Sequence, residues 1–156
     1  MTDTSQEIDQ ILKRAIQFEE QARDFYLDAV GRVKQPHIKG TLRDLAGEEV
    51  KHQERLQMLL DGDTQSLVAT QKRGQIEDLK LAEYLVSSPL DQDATFQDVL
   101  VVAMHREQSS HEFYSTMASI AGQPATKELF EFLAQEELAH KNKVETLYDE
   151  VVYQEN

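Results

Sequence analysis

Two short segments of this chain read alike: Leu45-Ala46-Gly47-Glu48-Glu49-Val50-Lys51-His52 and Leu133-Ala134-Gln135-Glu136-Glu137-Leu138-Ala139-His140. Each carries Glu-x-x-His, and the two lie 88 residues apart. At the same offset Glu19 pairs with Glu107, and Phe25-Tyr26 pairs with Phe113-Tyr114. Four carboxylates and two imidazoles in two matched sets are the donor count of a two-metal site inside a helical bundle. The motif alone says little. Scattering 17 Glu and 5 His over 156 positions produces about half a match by chance. Position is what distinguishes the two copies.

The elements that must hold these residues follow from apolar spacing. Thr4 with Glu7 has capping-box spacing. From there Ile8, Leu12, Ala15, Glu19, Ala22, Tyr26, Ala29 and Val33 recur at steps of three and four, one stripe of a long helix. Gln35-Pro36 breaks it, and Pro36 suits the first turn of a second helix striped by Ile38, Leu42, Leu45, Glu49, His52, Leu56 and Leu59. Asp61-Gly62-Asp63 stops that helix, with Gly62 as its cap. Residues 62–94 lose the rhythm, apart from a short helix expected over Ile76–Val86 that Ser87-Ser88-Pro89 ends. Thr95 with Asp98 repeats the capping spacing and opens a third stripe: Phe96, Leu100, Ala103, Glu107, Ser110, Tyr114, Met117 and Ala121. After Gly122-Gln123-Pro124 the last stripe is Phe130, Leu133, Glu137, His140, Val144, Leu147 and Val151.

The pattern is all-α: one helical hairpin over 5–61, a crossover over 62–94 and a second hairpin over 95–153, in a single domain spanning 1–156. Residues 12–60 align with 100–148 at 14 identities in 49 positions without a gap, which points to an internal repeat.

Each Glu and His of the two motifs, and Glu19 and Glu107, stands where its stripe demands an apolar residue. Residues at i and i+3 share a face. Glu49 with His52, and Glu137 with His140, therefore point together into the bundle. Ionised carboxylates buried there without compensation cost several kcal/mol each. No Lys or Arg occupies these stripes, whereas two divalent cations would cancel four carboxylates and leave the imidazoles neutral. The alternative is a buried polar network that fixes helix register. Oxygen-rich ligation with one His per metal fits iron or manganese better than structural zinc. Around these six, Tyr26 and Tyr114 follow Glu19 and Glu107 by seven residues on the same face, placed to hydrogen-bond a ligand carboxylate or to sit as core tyrosines. His111, four residues after Glu107, borders the site or its rim. Glu20, Glu48 and Glu136 lie one step off the stripes and read as surface residues, as do His37 and His105. Met58, Met104 and Met117 read as core filler.

Composition bounds the rest. A net charge of −13 disfavours nucleic acid and anionic membrane surfaces. The absence of cysteine excludes iron–sulfur and thiol chemistry within this chain and is compatible with a reducing cytoplasm. The N-terminal Met-Thr-Asp-Thr-Ser-Gln-Glu has no secretory-signal pattern, and no apolar run reaches the ~20 residues of a membrane span. A cytoplasmic location is expected.

The pattern Ala15-Ile16-Gln17-Phe18-Glu19-x-x-Ala22-x-x-Phe25-Tyr26, followed by Leu45-Ala46-x-Glu48-Glu49-x-x-His52 and its second copy, resembles the rubrerythrin-like members of the ferritin-like superfamily. The resemblance implies an antiparallel four-helix bundle with two irons between the helices. By matching positions, Glu19 and His52 would be terminal ligands of one iron, Glu107 and His140 of the other, and Glu49 and Glu137 would bridge. It implies a di-iron oxidoreductase that reacts with hydrogen peroxide or dioxygen. The alternatives are a ferroxidase or iron-storage protein, and a non-catalytic bundle with a vestigial site. Two departures matter. Rubrerythrins proper carry a rubredoxin-type centre on four cysteines, so here electrons would come from an external donor. They also carry an extra carboxylate where this chain has Ser110. Val50 and Lys51 stand where bacterioferritins place a haem-ligating Met, so no haem is expected. A homodimer or higher homo-oligomer is expected.

Overall fold

The computed structural model describes residues 4–70, 72, 79–85 and 90–155. Four long helices dominate: α1 (Thr4–Val30), α2 (Pro36–Asp61), α3 (Phe96–Ser119) and α4 (Pro124–Glu155). The chain is an all-α four-helix bundle, as its periodicity predicts. Helix α1 packs along α2, and α3 along α4. Tyr26 meets Glu107 while Glu19 meets Tyr114, so α1 and α3 run antiparallel. His140 meets Glu49 while His52 meets Glu137, so α2 and α4 do the same.

Helix ends follow local chemistry. Thr95 caps α3 through a complete capping box: the Asp98 amide donates to the Thr95 hydroxyl at 3.1 Å, and the Thr95 amide donates to the Asp98 carboxylate at 3.0 Å. Pro36 occupies the first turn of α2. Gly62 does cap α2, its amide donating to the Leu59 carbonyl at 3.2 Å, but its φ of −96° makes no use of glycine's left-handed freedom. Helix α1 is already helical at Thr4, and the capping side chain expected there lies outside the described residues.

The stripes are the core. Every residue of the α1 stripe is buried, and so is every residue of the α4 stripe. Two apolar clusters form. One joins the N-terminal part of α1, the C-terminal parts of α2 and α3 and the start of α4, around Leu12, Leu56, Phe113 and Phe130. The other joins the opposite ends, around Ala29, Leu42, Leu100 and Val144. The six polar stripe residues, each at most 2% exposed, lie between these two clusters in sequence along every helix. Met117 is core and Met104 packs against the other apolar cluster, but Met58 is 75% exposed, because it lies one step off the α2 stripe between Leu56 and Leu59. It is not core filler.

Among the described residues the crossover carries the 3₁₀ turns Gln65–Leu67 and Leu81–Leu85. The second lies across α1 and α3 and buries Leu81 and Leu85. It takes the place of the helix expected over Ile76–Val86, whose two ends lie outside the described residues. The first is pinned to the α3–α4 turn: the Ala69 amide donates to the Ile120 carbonyl at 2.8 Å, and the Gly122 amide to the Leu67 carbonyl at 2.9 Å. Gly122 is required there, since a Cβ would run into the Ser66 carbonyl oxygen and the Val68 backbone.

Candidate metal centre

The bundle brings all six polar stripe residues together. Ligand atoms of Glu19, Glu49, His52 and Glu137 all lie within 4.8 Å of one another, as do those of Glu49, Glu107, Glu137 and His140. Glu49 and Glu137 belong to both groups. The imidazoles of His52 and His140 stack, with ring centroids 5.4 Å apart and planes at 13°. Both turn Nδ1 toward carboxylates. His140 Nδ1 is 2.9 Å from Glu49 Oε1, and His52 Nδ1 is 2.5 Å from Glu137 Oε1. The second contact is not aligned as a hydrogen bond, so both atoms are left without a partner.

Two tyrosines reach carboxylates of these groups, and they do so across helices. Tyr26 on α1 donates to Glu107 on α3 at 2.5 Å, and Tyr114 on α3 donates to Glu19 on α1 at 2.6 Å. In both cases one carboxylate oxygen is taken by the phenol, and the other, Glu107 Oε2 or Glu19 Oε2, has no partner. Burial and then the neighbouring carboxylates raise the pKa of both phenols well above 10.0, so they remain donors.

Electrostatics show what the cluster lacks. Burial raises the pKa of Glu49 well above 4.5, and Glu137, Glu19 and Glu107 raise it further. Burial does the same to Glu137, with Glu107 and Glu19 adding to it. Burial lowers His140 from 6.5, against the pull of Glu107. The protein alone therefore favours protonated carboxyls at Glu49 and Glu137 and a neutral imidazole at His140. Buried polar atoms normally find partners. Four that do not, Glu19 Oε2, Glu107 Oε2, Glu137 Oε1 and His52 Nδ1, all belong to the two ligand groups. This donor set, four carboxylates and two imidazole Nδ1 atoms, four of whose atoms are left without a partner, fits a pair of divalent cations.

The neighbours sort differently from expectation. Ser110 is buried on α3 in the stripe between Glu107 and Tyr114. His111 donates from Nδ1 to the Ala134 carbonyl at 2.7 Å and lines a pocket of about 470 Å³ with Ser115, Lys127 and Glu131, so its imidazole serves the α3–α4 flank. Glu136 is not a plain surface residue: it is half-buried, with Oε1 4.0 Å from His52 Nε2. Glu20 and Glu48 are half-buried too, and Glu20 accepts from Gln53 at 3.0 Å. His37 and His105 are exposed.

Arg106 escapes a reading confined to the stripes. It precedes Glu107 and is 9% exposed. Its guanidinium lies 4.6 Å from the Phe18 ring centroid and 5.4 Å from that of Phe25. Burial lowers its pKa, while Tyr26, Glu107, Glu49 and Glu19 hold it up. An arginine so placed stays charged. The 88-residue offset held a signal for it, since it aligns Arg106 with Phe18, a buried position.

Among the described residues no helix is long and apolar enough to cross a membrane. No curated protein matches the chain. Among solved structures, a hypothetical protein from Pyrococcus furiosus is similar, with a TM-score of 0.70 and 22% identity over 94% of this chain and 91% of that one; it shares the fold. The rubrerythrin family model matches residues 10–148, a span that contains every member of both ligand groups, and the chain belongs to the rubrerythrin family.

Proposed function

We propose that this chain is a di-iron carboxylate oxidoreductase acting on hydrogen peroxide or dioxygen. The observation that carries the reading is the sharing of Glu49 and Glu137 between two four-residue groups, one completed by Glu19 and His52 and the other by Glu107 and His140. In this reading Glu49 and Glu137 bridge, and the other four residues are terminal ligands. Bound iron would supply two electrons from adjacent ions, one from each. The oxygen-rich donor set suits iron, and manganese is the other metal it suits.

The chain's own residues do the rest. Tyr26 and Tyr114 fix the orientation of Glu107 and Glu19 by holding one oxygen of each, leaving the other for the metal. His52 and His140 present Nδ1 inward. The apolar clusters on either side keep bulk water from the centre, which strengthens every charge interaction within it. With no cysteine in the chain, reducing equivalents come from outside it. A cytoplasmic homo-oligomer supplied by a donor protein is the setting we infer.

Stopped-flow mixing tests the chemistry. Anaerobically loaded Fe(II) protein is mixed with peroxide and, separately, with dioxygen, and the ferric absorbance is followed. Complete oxidation of two irons per chain by either oxidant, faster than free Fe(II) under the same conditions, is expected. Oxidation no faster than free Fe(II) would sink the proposal. Uptake of tens of irons per chain would mark storage instead.

A further inference from the structure

Arg106 presents the second unusual arrangement in the bundle. Its Nε and Nη2 atoms are both buried and both without a hydrogen-bond partner. These two N–H groups lie parallel along one edge of the guanidinium, the edge that grips a carboxylate through two bonds at once. A buried guanidinium edge left empty is costly, because its lost hydration is not replaced. Phe18 and Phe25 accept the flat face of the cation but cannot satisfy its edge. Ala22, between the two phenylalanines on α1, contributes only a methyl group.

Position relates this edge to the metal centre. The histidines come from α2 and α4, and they stack on one another although 88 residues apart. Arg106 belongs to α3 and packs on Phe18 of α1, also 88 residues away. The two contacts thus occupy the α2–α4 and α1–α3 flanks, with the carboxylates between. Charge points the same way. Two divalent ions would balance the four buried carboxylates, so those carboxylates would no longer offer the guanidinium an unbalanced negative charge.

We propose that the empty edge of Arg106 is the receptor for a small carboxylate-type monoanion, bound on the α1–α3 flank of the metal centre. The site rests on the two-metal reading above, since without the cations the four carboxylates repel an anion. Small carboxylates are therefore ligands that the oxidant must displace or bind beside.

Zinc-loaded protein tests this without redox chemistry. Zinc content is first measured by elemental analysis, and the full chain is then titrated with sodium formate by calorimetry at constant ionic strength. The wild type with two zinc ions should bind one formate per chain. R106K keeps the charge but lacks the double-donor edge, and R106Q lacks both. Each should hold its zinc and bind formate at least about tenfold more weakly. Unchanged formate affinity in R106K overturns the site, as does a wild-type protein that carries two zinc ions and binds no formate. R106K and R106Q are read independently, so the test stands where one of them does not fold. Fewer than two zinc ions on the wild type is a failure of the two-metal reading, seen before formate is added, and the anion site falls with it.

Discussion

Tyr26 and Glu107 are 81 residues apart in sequence and joined by a buried hydrogen bond of 2.5 Å, and Tyr114 with Glu19 repeats the link in the opposite direction between the same two helices. Each phenol thus orients a carboxylate of the candidate centre carried by the other hairpin. A change in one tyrosine should be felt at the metal group that contains its partner. In Y26F, affinity should fall by about tenfold or more at the group containing Glu107, leaving the group containing Glu19 close to wild type. Y114F should show the converse. Calorimetric titration with Mn(II) under fixed pH resolves the two steps; equal weakening of both steps in both variants contradicts the crossed arrangement.

The metal-free protein should lose stability as pH rises. Glu49 and Glu137 have folded pKa values well above 4.5, so from that pH upward the folded state holds protons that the unfolded state has released. Their contribution is present below 4.5 and fades as pH climbs through the folded values. His140 works in the other direction, since its lowered value adds stability up to 6.5. Two large carboxyl shifts outweigh one imidazole shift. Melting of the metal-free chain should therefore occur at lower temperature at about pH 7.5 than at about pH 5.5. With metal in excess the order should reverse, because cations replace those protons. A metal-free melting temperature that rises over this interval speaks against the buried, proton-holding pair.

The stripes made the fold and much of the candidate centre legible. Glu19, Glu49, His52, Glu107, Glu137 and His140 could be picked out because each interrupts an apolar rhythm that the surrounding Leu, Ala and Val define. Tyr26 and Tyr114 shared the correct face, but nothing local says that a tyrosine will reach the helix opposite. Arg106 was invisible to the stripe because it stands one position off it and is buried by two phenylalanines from α1. Glu136 was misread for a similar reason: it lies off its own stripe, yet the neighbouring helix brings His52 to it. The pinning of the crossover joins Leu67 and Ala69 to Ile120 and Gly122, a long-range contact without a periodic signature.

Gly122 supplies a test of that pinning. G122A forces a Cβ against the backbone of Ser66 and Val68, neither of which can swing aside as a side chain would. We expect a loss of about 1–3 kcal/mol in denaturant unfolding, with metal content unchanged because the contact is remote from the ligand groups. A neutral substitution shows that the crossover is free to move.

The capping box at α3 gives a matched control. T95A removes the side-chain acceptor for the Asp98 amide and should cost about 1 kcal/mol. Metal uptake per folded chain should be that of the wild type. Reduced uptake would mean that the end of α3 is coupled to the centre, contrary to an arrangement in which the stripes alone place the ligands.

The central claim is that Glu49 and Glu137 are shared by two metal ions. Anaerobic Fe(II) loading, removal of free metal and elemental analysis measure it directly, on the wild type and on E49A and E137A, with helix content checked by circular dichroism. The wild-type chain should carry two irons, and both folded variants should lose stoichiometric binding. Two irons per chain retained by either variant would contradict that sharing.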